Sequence, residues 1–129
     1  MAAQTQRYSS KDEAFRIYQN LLGVFDPISL PREVALRQGK IDFTAERDQP
    51  YFPIPFKETE TTAALKAIEG TVAALLAETS GNGNAKDARV HVNLEKTTAF
   101  LFQAYLARVG GLGKLDKQVR ELLKGEGSR

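Results

Sequence analysis

The sequence predicts a mainly α protein: a compact bundle of about four to five helices, with one or two short strands and an extended connector rich in proline and aromatic residues. Three observations carry this. Apolar residues recur at spacings of three and four in several windows, strand-like alternation is confined to one short window, and Pro50–Phe56 packs prolines between aromatics. At 129 residues, 42% of them apolar and 26% charged, the composition is that of a globular domain with a real core.

Residues 1–8 are polar and expected to fray, residues 9–124 read as a single helical domain, and residues 125–129 form a frayed end. Ser10 with Glu13 three positions later has capping-box spacing, so a helix is expected from there. Ala14, Phe15, Tyr18, Leu21, Leu22 and Phe25 give it one apolar face, and Pro27 ends it. Pro31 opens a short helix that should stop at Gly39. Residues 50–56 form neither a regular helix nor a central strand. Thr61 or Thr62 is the expected cap of the next helix, with Leu65, Ile68, Val72, Leu75 and Leu76 as its buried stripe in an alanine-rich background. Gly70 costs that helix about 1 kcal/mol relative to alanine, a cost usually offset when another backbone packs closely there.

Ser80–Asn84 then reads as a loop, and Val90, Val92 and Leu94 alternate with His91 and Asn93 in a short strand whose valines face inward. A partner for that strand within the chain would come from residues 41–44 or 51–54, and otherwise from outside the chain. Asn93 is placed to cap an apolar helix that includes Thr97–Val109, closed by Gly110-Gly111 as a helix C-cap. A last amphipathic helix follows Asp116 and buries Val119, Leu122 and Leu123.

The chain has no cysteine and one histidine, which excludes disulfides, thiol catalysis and a multi-histidine metal site. No bound metal and no tightly held cofactor are expected. A net charge of +2 is spread along the sequence without a basic stripe, which argues against nucleic acid as a partner. No leader-like or membrane-length apolar run occurs, so the expectation is a soluble, cytoplasmic protein.

The strings Thr61–Gly70, Val92–Leu106 and Gly110–Asp116 resemble fungal members of the family III CoA-transferases, the CaiB/BaiF group that includes α-methylacyl-CoA racemase. The resemblance covers a portion of the family's longer chain. It implies a Rossmann-like large domain with a smaller one, in two interlocked chains. It also implies CoA transfer through acyl intermediates on an aspartate, or racemisation of a 2-methylacyl-CoA. In the family a basic loop of the type Asn-x-x-Lys-Arg precedes a short strand and helps hold the CoA nucleotide; Asn84, Lys86 and Arg89 are the residues here that resemble it, without the adjacent Lys-Arg pair. The family's catalytic aspartate falls outside the matching strings, and neither Asp87 nor Asp116 has the surroundings an acyl-accepting carboxylate needs.

Other chemistry is thin. His91 lacks a partner at recognisable spacing, and the acidic residues Asp42, Glu46, Asp48, Glu58 and Glu60 match no calcium loop and read as solvated surface. Two functions follow as expectations. One is a shortened or fragment-like relative of a family III acyl-CoA transferase or racemase, at most binding CoA or an acyl-CoA thioester. The other is a non-catalytic helical module that forms a homo-oligomer or binds a protein partner.

Overall fold

The computed structural model describes residues 7–25, 32–81, 83–103, 108–113 and 115–126. The described fold is mainly α, with five α-helices and two small sheets, as the apolar periodicity requires. The chain is organised in two compact units, Met1–Thr97 and Thr98–Arg129.

In the first unit, α1 (Ser10–Phe25) and α2 (Arg32–Leu36) lead through a 3₁₀ turn at Gln38–Lys40 into β1 (Ile41–Thr44). The long helix α3 (Glu58–Thr79) and a second 3₁₀ turn (Gly83–Asp87) follow, then β2 (Val90–Asn93) and α4 (Leu94–Leu101). β1 and β2 pair in parallel, with Ile41 opposite Val90 and Thr44 opposite Asn93. Residues 41–44 are thus the partner of the 90–93 strand. Parallel strands need a crossover connection, and α3 supplies it, making β1–α3–β2 a βαβ unit.

The alternation of β1 and β2 sorts the two sheet faces. Ile41, Phe43, Val90 and Val92 join Ala14, Tyr18, Leu22, Val34, Ala63, Ala64, Ala67 and Leu94 in one core. Asp42, Thr44, His91 and Asn93 lie on the opposite, polar face. Phe15 stacks on Tyr18 at 6.2 Å and meets Phe43 edge-on at 6.4 Å, joining α1 to the sheet.

Four expectations are corrected. The N-terminal residue of α1 is capped from Ser9, whose Oγ accepts the Asp12 amide at 3.2 Å, while Glu13 turns to Arg16 and Lys57. α3 starts about a turn earlier than a Thr61 or Thr62 cap allows, with Lys57 at the cap position making no side-chain bond.

The most deeply buried row of α3 is not the expected stripe, although Ile68, Val72 and Leu75 of that stripe are half-buried against the core. That row is Thr59, Glu60, Ala63, Ala64, Ala67 and Thr71, while Leu65 and Leu76 are 47% and 62% exposed. The two rows lie roughly a third of a turn apart at 3.6 residues per turn. Small side chains let α3 approach α1 closely, so close packing decides the orientation and leaves Leu65 and Leu76 outside.

The apolar helix before the glycines does not reach Val109. Arg108–Val109 form β3 and Leu112–Gly113 form β4, paired as an antiparallel hairpin in the second unit. Gly110 (φ 57°) and Gly111 (φ 82°) are the two turn residues between them, where positive φ at both positions is free only to glycine-like residues. The diglycine is a hairpin turn, not a helix C-cap. The last helix, α5 (Lys117–Glu126), begins beside Asp116, whose carboxylate accepts the Gly113 amide. The burial expected for Leu122 and Leu123 lies outside the described residues.

The connector after β1 has no regular structure from Ala45 to Lys57. Its aromatics divide: Tyr51 and Phe52 are half-buried, whereas Phe56 is 71% exposed.

At Gly70 the crossover helix meets the sheet closely, through the Val90 side chain rather than another backbone. A Cβ there would lie 2.7 Å from Val90 Cγ1. Gly70→Ala is therefore expected to lower stability by about 1–3 kcal/mol through overpacking, despite the better helix propensity of alanine. With Val90→Ala in the background the same change should cost much less, as measured by urea unfolding of the double-mutant cycle. Tyr18 is fully buried, and among the described residues its hydroxyl makes no hydrogen bond of ordinary geometry; Thr71, the hydroxyl that neighbours it, donates to the Ala67 carbonyl. Tyr18→Phe should be neutral or stabilising by up to about 1 kcal/mol, and a loss larger than that would show the hydroxyl to be paired.

Candidate functional site

Chemistry-bearing side chains gather on and around the β1–β2 pair, and they fall into three places. On the polar sheet face, register sets Asp42 opposite His91. The Arg89 guanidinium donates to both Asp42 oxygens, at 2.9 and 2.8 Å, and His91 Nδ1 stands 3.3 Å from Asp42 Oδ2. These bonds, Arg89's first, hold the Asp42 carboxyl below the ordinary carboxylate range. Asn93 donates to the Thr44 hydroxyl further along the same face. His91 thus has an acid partner that its sequence neighbours do not reveal, 49 residues away. The pairing period of the two strands is the signal that finds it. An aspartate orienting an exposed histidine is half of an acid–base apparatus; a nucleophile and an enclosed substrate position are the other half.

The amino ends of the strands are tied by cations. Arg37, 8% exposed, reaches Glu78 on α3 and the carbonyls of Ala85 and Lys86, both at 3.4 Å. Lys40 Nζ donates to the Lys86 carbonyl and lies 3.4 Å from Asp87. The segment leading into β2 is thereby fastened to the segment leading into β1. This is where the CoA-type loop residues fall. Arg89 is closed on Asp42, and Lys86 offers its backbone carbonyl to Arg37 and Lys40 while its side chain is exposed. The Asn84 side chain lies outside the described residues. Open α/β sheets bind ligands beyond the carboxyl ends of their strands, and Lys86 and Arg89 stand at the amino end.

At the carboxyl ends a single carboxylate organises the exit of β1. Glu95, near the start of α4, accepts the amides of Glu46 and Arg47 at 2.8 and 3.2 Å and the Tyr51 hydroxyl at 2.5 Å. Burial pushes the Glu95 carboxyl up, and those hydrogen bonds, Tyr51's first, outweigh it, so the group is held below its ordinary value. Asn93 Oδ1 accepts the Lys96 amide and caps α4, as its position in the sequence leads one to expect.

The acidic residues expected to form a solvated surface are spread over separate structural tasks. Asp48 accepts Ser9 Oγ, Ser10 Oγ and the Lys11 amide at the start of α1, Asp42 holds Arg89, and Glu60 accepts the Tyr8 hydroxyl at 2.6 Å. Among the described residues no group of three or more His, Asp or Glu side chains converges on a cation position. No described helix is long and apolar enough to cross a membrane. No protein-family model, curated protein or solved structure matches the chain.

The lowered carboxylates give stability a pH dependence of definite sign. Glu13, bound by Arg16 at 2.5 and 2.9 Å and by Lys57 at 2.5 Å, is held at about 2 against an ordinary value of 4.5, chiefly by the Arg16 hydrogen bonds. A carboxylate depressed in the folded state binds fewer protons than in the unfolded chain, so its contribution is complete above 4.5 and disappears as pH falls through about 2. Unfolding free energy should fall steadily between those limits, and Glu13→Gln should flatten that part of the curve, as read by urea unfolding across the pH range.

Proposed function

We propose that the chain acts as a non-catalytic helical interaction module, a relative by descent of the family III CoA-transferases, and that it self-associates through the outward face of α3. The observation that carries this reading is that Leu65 and Leu76 of α3 are turned out. Leu76 is 62% exposed, and with Val72, Leu75, Glu33 and Thr79 it lines an apolar cleft of about 230 Å³ between α3 and α2. Leu36 on α2 is 73% exposed. Apolar side chains gathered on one face, rather than scattered singly, mark association surfaces. The βαβ unit supports the proposed descent, since strand, helix and parallel strand is the repeating element of Rossmann-like domains.

The histidine–aspartate pair supports catalysis less well than it supports the sheet. His91 is 62% exposed on a flat strand face, and the Asp42 oxygens are committed to Arg89. A second reading, CoA binding at the 84–89 loop, is favoured by the exposed Lys86 side chain beside Arg89.

Sedimentation equilibrium is expected to show a homo-oligomer. Leu76→Glu should shift it to monomer while leaving the unfolding free energy, compared at concentrations where both chains are monomeric, within about 0.5 kcal/mol of the parent, because the side chain is exposed. A parent chain that stays monomeric to near-millimolar concentration overturns the reading. Thermal unfolding with CoA separates the second one: a ligand at 100 times its dissociation constant adds about 2.7 kcal/mol. Stabilisation that is abolished by Lys86→Ala would establish CoA binding at the loop.

A further inference from the structure

The connector before α3 and the first turn of that helix enclose a small cleft whose lining includes Tyr8, Tyr51, Phe52, Phe56, Lys57 and Glu60. We propose that this cleft is a binding site for an alkylammonium group, with Glu60 as the counter-charge and the Tyr51, Phe52 and Phe56 rings as its walls.

The first argument is charge. Glu60 is 4% exposed, and among the described residues its carboxylate receives one hydrogen bond, from Tyr8 Oη, and no cation. Neither Glu60 oxygen is among the described buried atoms left without a partner, so the oxygen that Tyr8 does not bond still reaches solvent and is open to an incoming cation. The nearest basic residue in the lining does not serve. Lys57 places its amine 2.5 Å from Glu13 and over the Tyr8 ring at 5.6 Å, which already uses that ring as a cation platform.

The second argument is the chemistry of the walls. A hard metal ion takes six to eight oxygen ligands, or keeps its waters, and a cleft of aromatic rings and prolines with one carboxylate cannot replace that shell. An alkylammonium ion is weakly hydrated and is attracted to ring faces, so the same walls favour it. The third argument is size. The cleft holds about 120 Å³, against roughly 300–1,000 Å³ for sites that enclose a whole small molecule. It fits a head group, with the remainder of its carrier outside. Desolvation, and then the bond to Glu60, push the Tyr8 phenol well above its ordinary range, so Tyr8 stays protonated and keeps donating to Glu60 at neutral pH.

The carrier is either a small quaternary amine or a peptide lysine, and the test has an arm for each. Choline, tetramethylammonium and trimethyllysine amide are titrated into the full chain and followed by NMR shifts of the aromatic residues. Saturable binding is expected, with 3,3-dimethylbutanol, the uncharged isostere of choline, at least about tenfold weaker. Tighter binding of trimethyllysine amide than of choline assigns the carrier as a peptide, and the reverse as a small molecule. Glu60→Gln should weaken cation binding by about tenfold or more. Phe56→Ala, at an exposed position that folding does not depend on, should weaken it several-fold even if Glu60→Gln fails to fold. No saturable binding of any of the three cations, equal binding of the uncharged isostere, or unchanged affinity in Phe56→Ala overturns the proposal.

Discussion

Everything in the first unit depends on bringing two strands 45 to 50 residues apart into parallel register. A parallel pair cannot be closed by a tight turn, so its formation waits on a docked crossover helix. Gly70 is the point where that docking is decided. Its missing side chain lets Val90 come against α3, and Val90 sits opposite Ile41, so the same contact places both strands on the helix layer. The tyrosine, valine and leucine side chains that fill the core are each worth about 1.5–3 kcal/mol when buried, but they can be buried together only after that approach is made.

Long-range polar bonds then fix what packing brings near. Arg37 and Lys40 fasten the entry of β2 to that of β1, Glu95 gathers the exit of β1, and Asp48 covers the start of α1 from 37 residues away. Each carboxylate accepts bonds from backbone amides or hydroxyls that would otherwise lose their water partners on folding, which is why these acids are spaced through the fold rather than pooled. The same economy explains the empty look of the catalytic inventory. Asp42, the acid that stands beside His91, is held by Arg89.

Two features stay outside that bonding: the exposed Leu65 and Leu76 on α3, and a largely buried glutamate behind an aromatic connector. Both come from one fact, that α3 turns its small residues inward. Ala63, Ala64 and Ala67 occupy the close contact, Glu60 is carried under the connector at the helix start, and Leu65 and Leu76 are turned away. The interaction reading and the cation cleft are separate consequences of that one rotation.

The sequence by itself determined the mainly α class, the 90–93 strand, the cap at Asn93 and a close approach at Gly70, and it left the strand's partner open between 41–44, 51–54 and a segment outside the chain. Each is written in local spacing or in a residue whose backbone chemistry is unusual. It also placed Lys86 and Arg89 on a loop before a strand, but not their use. Only the tertiary structure decided which face of α3 is buried, that the diglycine turns a hairpin, and that Asp42 meets His91. Periodicity shows that a helix has an apolar side without showing how close its neighbour comes, and when that neighbour packs tightly alanine outcompetes leucine for the interior. Partnerships across a sheet depend on a register that no single segment carries.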